Sequence, residues 1–218
     1  MSKVSEVKDY NLEYKKDLKK VSKLYARRKL LRATDYPFNV SVKLQILLTS
    51  SFLKLECLGT DLLEIVKQER FFVSMAILRM MFEELIALTF VLWKLQQIDS
   101  REDAEKVLEK ATIGRRTAKP ALPSFNIMTM GKGAEEYITN NYPQLAGMYN
   151  DTYEFLSEYV HPNGPSRHHF WERDENAIYF KQPPFAGEDK DMILNYGCMT
   201  LNMYALIYTS LRKVKLPS

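Results

Sequence analysis

The spacing of hydrophobic residues predicts helices along most of this chain. Apolar side chains recur every three or four positions, and polar residues occupy the faces between them. The predicted helices cover residues 11–31, 40–58, 61–67, 71–97, 134–141 and 188–214, together with a charged helix capped by Ser100 or Asp99 and a helix opened by Pro143. Gly59 has the position of a helix stop, and residues 114–129 are expected to form a loop.

A change of period marks residues 167–182. Apolar and polar side chains alternate there around a polar turn at residues 173–176, which predicts a short hairpin. The chain has only 8 glycines and 9 prolines, too few for a turn-rich all-β fold. We therefore predict an all-α fold, a helical bundle of about six or seven helices with a small β-hairpin insertion before the last helix.

The longest apolar run, residues 71–95, has the length of a membrane span. Arg79, Glu83 and Glu84 lie within it, and each charge would cost about 2.5–3.5 kcal/mol at the centre of a bilayer. We therefore expect no membrane span, and we predict that this run is the buried central helix of the bundle.

The cysteines and the start of the chain bear on its location. Cys57 and Cys198 both lie in apolar helical surroundings, where buried free thiols are expected, as in a reducing compartment. Residues 1–36 are charged throughout and do not resemble a secretory signal. These features predict a cytoplasmic protein.

Positive charge is concentrated at the start of the chain. Residues 1–36 hold 11 Lys or Arg against 5 Asp or Glu, whereas residues 37–218 are slightly acidic. The predicted first helix carries an apolar stripe made of Tyr14, Leu18, Val21 and Tyr25. We predict a basic amphipathic helical arm over residues 1–36 and a helical-bundle domain over residues 37–218. The stripe could cover the body of the chain or a second copy, which would make a homo-oligomer, while the lysines suit nucleic acid or a membrane surface.

Five polar residues on two otherwise apolar helices are the candidates for a catalytic site. Tyr153, Ser157 and His161 follow one another at intervals of four, so they lie on the same side of one helix. Arg79 and Glu83 are also four apart and can pair on the predicted central helix. If the two helices cross here, His161 could act as an acid or base, and Arg79 could hold a phosphate-bearing ligand.

The same residues also fit a structural role. Arg79 and Glu83 could be a half-buried ion pair that orients two helices, with His161 capping the end of its own helix. Arg167 and His168 are further candidates for ligand binding. The three histidines lack the spacing of a known metal site, so neither a metal nor another cofactor is expected. The phosphate-loop, dinucleotide and zinc-protease motifs are absent from the sequence.

Two motifs resemble those of a family. The sequence Y-x-x-L-S-x-x-x-H-P at residues 153–162, preceded by L-R-x-x-x-E-E at residues 78–84, is similar to a group of bacterial all-helical proteins of unknown function that have been likened to the HEPN superfamily. The resemblance covers about residues 40–212 and implies a helical bundle, RNA or a nucleotide as ligand, a role in defence and, in HEPN ribonucleases, a metal-independent Arg–His site at a dimer interface.

This chain departs from the HEPN pattern in one respect. An Arg four to six residues before the His is typical of HEPN ribonucleases, but residues 155–157, ahead of His161, are Phe, Leu and Ser. Arg79 would have to supply the cation from another helix. The alternative function is a non-catalytic helical module for interaction or oligomerisation.

Overall fold

The structure is a computed structural model that describes residues 9–25, 40–113, 125–160, 171–173, 178–180 and 187–216. These residues form seven α-helices: α1 (Tyr10–Tyr25), α2 (Val40–Lys67), α3 (Phe71–Leu95), α4 (Arg101–Ile113), α5 (Ile127–Asn141), α6 (Met148–Val160) and α7 (Gly187–Leu211). The predicted all-α bundle is confirmed. None of the described helices combines the length and the hydrophobicity needed to cross a membrane.

Helix α3 is the centre of the bundle. It contacts α2, α4, α5, α6 and α7, and buried side chains surround it, since Leu85, Phe90 and Val91, which point in three different directions around the helix, are all almost completely buried. A helix that is apolar on nearly all sides has to be enclosed by others, because its exposed surface would otherwise lie in water. The prediction of a buried central helix is confirmed.

Helix α1 packs against α2 and α7 of the same chain, so its apolar stripe has a partner within the protein. Tyr14 is fully buried, and its hydroxyl donates a 3.0 Å hydrogen bond to the carbonyl oxygen of Gly59 in α2. On the other side its ring lies against Gly197 in α7, where an added Cβ atom would be 2.5 Å from Tyr14 Cε2. Tyr14 therefore joins three helices at one point.

The predicted stop of α2 at Gly59 is wrong, because the helix runs without a break to Lys67. A Cβ atom at position 59 would lie 2.8 Å from Leu18 Cδ1 and 3.2 Å from Tyr14 Oη. The absence of a side chain at Gly59 lets α1 approach this closely, and the packing outweighs the low helix propensity of glycine. Residues 61–67 are consequently the last turns of the same helix.

Helix ends elsewhere also differ from the prediction. Helix α5 begins at Ile127 rather than Ala134, because the side chain of Asn126 caps it by accepting a 2.8 Å hydrogen bond from the amide of Met128. Pro143 opens only a 3-10 turn, Pro143–Leu145, and α6 begins after Gly147. Ser100 caps α4 as predicted by accepting a 3.1 Å bond from the Asp103 amide.

One of the two cysteines is not buried. Cys198 is buried in α7 as expected, but Cys57 is exposed. Lys54 and Asp61, one turn before and one turn after Cys57, are also exposed, so Cys57 belongs to the solvent face of α2.

Two strands lie between α6 and α7: β1 (Trp171–Arg173) and β2 (Ile178–Phe180). They pair in antiparallel fashion, with Trp171 opposite Phe180. A two-stranded pair of this length is marginally stable by itself in water. The hairpin predicted over residues 167–182 as an insertion before the last helix stays a prediction, since only residues 171–173 and 178–180 of that range are described.

We predict that Gly197→Ala lowers the free energy of unfolding by about 1–3 kcal/mol, because the new methyl group overlaps the buried Tyr14 ring. Gly131→Ala in α5 is the matched control, since an added Cβ there has no atom within 4 Å. It should raise stability by about 0.5–1 kcal/mol through helix propensity. Urea denaturation followed by circular dichroism measures both. Equal effects of the two substitutions would contradict the packing described for Tyr14.

Candidate functional site

Three of the five predicted site residues meet where α3 and α6 cross. Arg79 Nε donates a 3.0 Å hydrogen bond to Glu83 Oε1 on the same helix, and Arg79 Nη2 donates a 2.9 Å bond to Tyr153 Oη on α6. The guanidinium carbon lies 5.1 Å from the centre of the Tyr153 ring. Arg79 is therefore held by an ion pair, a hydrogen bond and an aromatic ring together.

Ser157 lies one turn beyond Tyr153 on α6. Its hydroxyl donates a 2.6 Å hydrogen bond to the Tyr153 carbonyl oxygen, so this contact stays within its own helix. His161, Arg167 and His168 lie outside the described residues, and their predicted roles remain predictions.

Tyr149, one turn before Tyr153 on α6, is fully buried. Its hydroxyl shares a 2.7 Å hydrogen bond with Thr89 Oγ1 of α3, and Thr89 Oγ1 in turn lies 2.8 Å from the Leu85 carbonyl oxygen, to which it donates. Burial raises the pKa of the Tyr149 phenol well above its usual range, so the group stays neutral. Tyr149 anchors α6 on α3.

Glu135 of α5 fixes the start of α6 and was missed by the sequence analysis. Its carboxylate accepts hydrogen bonds from the backbone amides of Gly147 (2.6 Å), Tyr149 (3.0 Å) and Asn150 (3.3 Å). A carboxylate at the positive end of a helix also compensates the helix dipole. The sequence does contain a signal, because Gly147, directly before Met148, has no side chain with which to cap α6.

Solvent access limits what the α3–α6 cluster can do chemically. Only 12% of the Arg79 side chain is exposed, compared with 34% for Glu83. A phosphate-binding arginine has to turn its N–H groups toward the ligand, whereas this one directs two of its nitrogens to Glu83 and Tyr153. The geometry favours a cluster that orients α6 on α3.

A second group of charged residues lies on the outer side of α1. We call it the lysine face, and it consists of Lys15, Lys16, Lys19, Lys20 and Lys23, all exposed. These positions span about 12 Å along the helix and an arc of about 140° around it. The stripe opposite them, which includes Tyr14 and Val21, is buried.

A polar contact with α7 fixes the orientation of α1. Asp17 is buried and accepts a 2.6 Å hydrogen bond from Asn202 Nδ2 and a 3.0 Å bond from Lys20 Nζ. Lys20 also donates to Asn202 Oδ1 at 3.2 Å. These bonds fix the orientation of α1 against α7, and Lys20, at one edge of the lysine face, takes part in them.

Comparison of the chain with protein-family models, curated proteins and solved structures finds no match. The predicted likeness to HEPN proteins and the predicted homo-oligomer therefore stay predictions.

We predict that Glu135→Ala lowers the free energy of unfolding by about 1–3 kcal/mol, because three amide groups of the α6 N-terminus lose a charged acceptor. Glu136→Ala is the matched control, since the next residue of the helix is exposed, and its effect should stay within about 0.5 kcal/mol. Thermal unfolding measures both. A neutral Glu135→Ala would mean that this carboxylate does not hold α6.

Proposed function

We propose that this protein is a non-catalytic helical module that binds the phosphodiester backbone of nucleic acid, RNA in particular, through the lysine face of α1. The observation that carries the proposal is the arrangement of five exposed lysines on one side of a helix whose other side is buried in the bundle. Lysines that lie along a phosphodiester backbone neutralise its phosphates and release condensed counterions. This release is the main source of sequence-independent affinity for nucleic acid.

The burial of the opposite side of α1 favours nucleic acid over a membrane. Helices that lie on membranes insert an apolar face among the lipids. The corresponding residues of α1, Tyr14 and Val21, are covered by α2 and α7. Among residues 10–24 of α1, Leu12 is the one large apolar residue that is strongly exposed. Binding by this face would therefore be electrostatic.

Rigidity also supports the proposal. Tyr14 and Asp17 hold α1 on the bundle, so the main-chain atoms of the lysine-face residues have fixed positions before nucleic acid binds. Only the lysine side chains lose freedom when a ligand binds, which lowers the entropic cost of association. The length of the face, about 12 Å, corresponds to three or four nucleotides of one strand in a duplex.

We expect the Lys15→Ala/Lys19→Ala double variant to weaken binding of fluorescein-labelled oligouridylate about tenfold at low salt, as measured by fluorescence anisotropy. The slope of log affinity against log salt should become shallower by about 1.4, because two phosphate contacts are lost. Arg101→Ala/Lys106→Ala on α4 removes the same charge from exposed positions and is the control. It should leave the slope nearly unchanged.

Two further ligands, tested beside oligouridylate, separate the alternatives in this experiment. Oligothymidylate of equal length tests whether ribose matters, and equal binding would extend the site to DNA. Vesicles of phosphatidylcholine and phosphatidylserine test the membrane surface. Binding to vesicles without binding to either oligonucleotide would overturn the proposal, and so would an equal loss of affinity in the α4 control.

A second candidate function is binding or cleavage of RNA or a nucleotide at the α3–α6 cluster, as the HEPN resemblance implies. The observation that favours it is the contact of Arg79 with Tyr153, which joins residues of both motifs. In this function Arg79 would hold the phosphate, with Glu83 and Ser157 beside it, and His161 would act as acid or base.

We expect Tyr153→Phe to show that the contact between Arg79 and Tyr153 orients α6 on α3 and does not serve catalysis. Loss of the hydroxyl should lower the free energy of unfolding by about 1 kcal/mol, because Arg79 Nη2 loses its acceptor. RNA affinity should not change. Ser157→Ala is the control, since its hydroxyl contacts only its own helix in the described residues and its loss should be nearly neutral.

The catalytic role makes a different prediction for Tyr153→Phe and adds His161→Ala as a second variant. Tyr153→Phe and His161→Ala would abolish cleavage of RNA while the melting temperature stays constant. Incubation of the purified protein with labelled RNA, read by denaturing gel electrophoresis, distinguishes the two outcomes.

A further inference from the structure

A groove lies between the second half of α3 and the first half of α5, away from both sites described above. It has a volume of about 250 Å³ and is lined on α3 by Phe90, Trp93 and Lys94. Met128, Lys132 and Glu136 line it on α5. We propose that this groove binds a small, flat aromatic anion of one or two rings.

The inner wall of the groove is aromatic. The ring centres of Phe90 and Trp93 are 5.6 Å apart, and their ring planes meet at an angle of 37°. The Phe125 and Phe90 rings pack edge to face, with their centres 4.9 Å apart. Gly133 lets α5 approach these rings, since an added Cβ atom would lie 2.7 Å from both Phe90 and Trp93. Phe90 is only 1% exposed and supports the wall from behind, so the half-buried ring of Trp93 is the surface that a planar ligand can reach.

The charges around the groove favour an anion. Lys94 Nζ lies 4.4 Å from the centre of the Trp93 ring, and Lys132 is exposed on the facing helix. Glu136 opposes them with one negative charge, so the side chains leave a net positive charge. The first turn of α5 contains no acidic residue, which leaves the positive end of its dipole without a side-chain counterion there.

The size and the rim of the groove limit the ligand. Ligand pockets for drug-sized molecules usually occupy about 300–1,000 Å³, so this groove suits a smaller molecule. Met128 lies at the rim with 61% of its surface exposed, and its flexible thioether can close over an aromatic ring. Either an aromatic carboxylate or the base and phosphate of a mononucleotide has the required chemistry.

Titration with indole-3-acetate and, separately, with adenosine monophosphate tests the proposal. In a proton–nitrogen correlation spectrum the chain has two indole signals, from Trp93 and Trp171, and Trp171→Phe assigns them. We expect the Trp93 signal to shift in a saturable way with at least one probe, with a dissociation constant of about 1 mM or tighter. The probe that binds more tightly identifies carboxylate or phosphate as the preferred anion.

Substitutions at the rim test the charge argument without disturbing the aromatic wall. Lys132→Ala should weaken binding about two- to fivefold, whereas Glu136→Gln should strengthen it by a similar factor because it removes a repulsive charge. Lys106→Ala on α4 is the control and should have no effect. Indole itself, which lacks the anionic group, should bind more weakly than indole-3-acetate.

The proposal would be overturned by several results. Unsaturable shifts, an absence of shifts with both probes, or a stronger effect of Lys106→Ala than of Lys132→Ala would each exclude an anion site in this groove. Because the lysine face of α1 is on a different helix, the Lys15→Ala/Lys19→Ala variant should have the same affinity for each probe as the unaltered protein. Its failure to do so would also contradict the assignment to α3 and α5.

Discussion

The enclosed position of α3 obliges its polar side chains to find partners on neighbouring elements, and this constraint arranges the bundle. Arg79 and Thr89 are satisfied by Tyr153 and Tyr149 of α6, and Glu84 forms a 2.7 Å ion pair with Lys54 of α2. A buried polar group without a partner costs about 1–3 kcal/mol, so each pair restricts where the facing helix can lie. Polar contacts thereby select one register among the many that apolar packing would allow.

Glycines also restrict where the helices lie, at the points where two helices approach each other most closely. Gly59 and Gly197 hold Tyr14 from two sides, and Gly133 brings α5 onto the aromatic residues of α3. At Gly133 and Gly197 an aromatic ring of the facing helix fills the space that a side chain would occupy, and at Gly59 the Leu18 side chain and the Tyr14 hydroxyl fill it. Dense packing of this kind tolerates little change in volume, which explains why glycines with low helix propensity persist inside helices.

The arrangement separates structural charges from charges that are available to a ligand. Arg79 and Asp17 are largely enclosed and hold helices together, whereas the lysine face of α1 projects into solvent. The groove at Trp93 lies on the opposite half of α3 from Arg79. The bundle thus offers two separate surfaces with positive charge, one suited to an extended polyanion and one to a small molecule.

The sequence by itself determined the helical class, the central place of α3, the start of α4 near Ser100 and the four-residue spacing that lets Arg79 pair with Glu83. These features follow from local periodicity and from the cost of burying charge, which are both readable in one dimension. The contact of Arg79 with Tyr153 was decided by the crossing of α3 and α6. Only the tertiary structure decided that α2 continues through Gly59, that Glu135 caps α6 from another helix, and that Tyr149 is buried. Each of these depends on a contact between residues distant in the chain, and local propensity carries no information about which distant residue will be the neighbour.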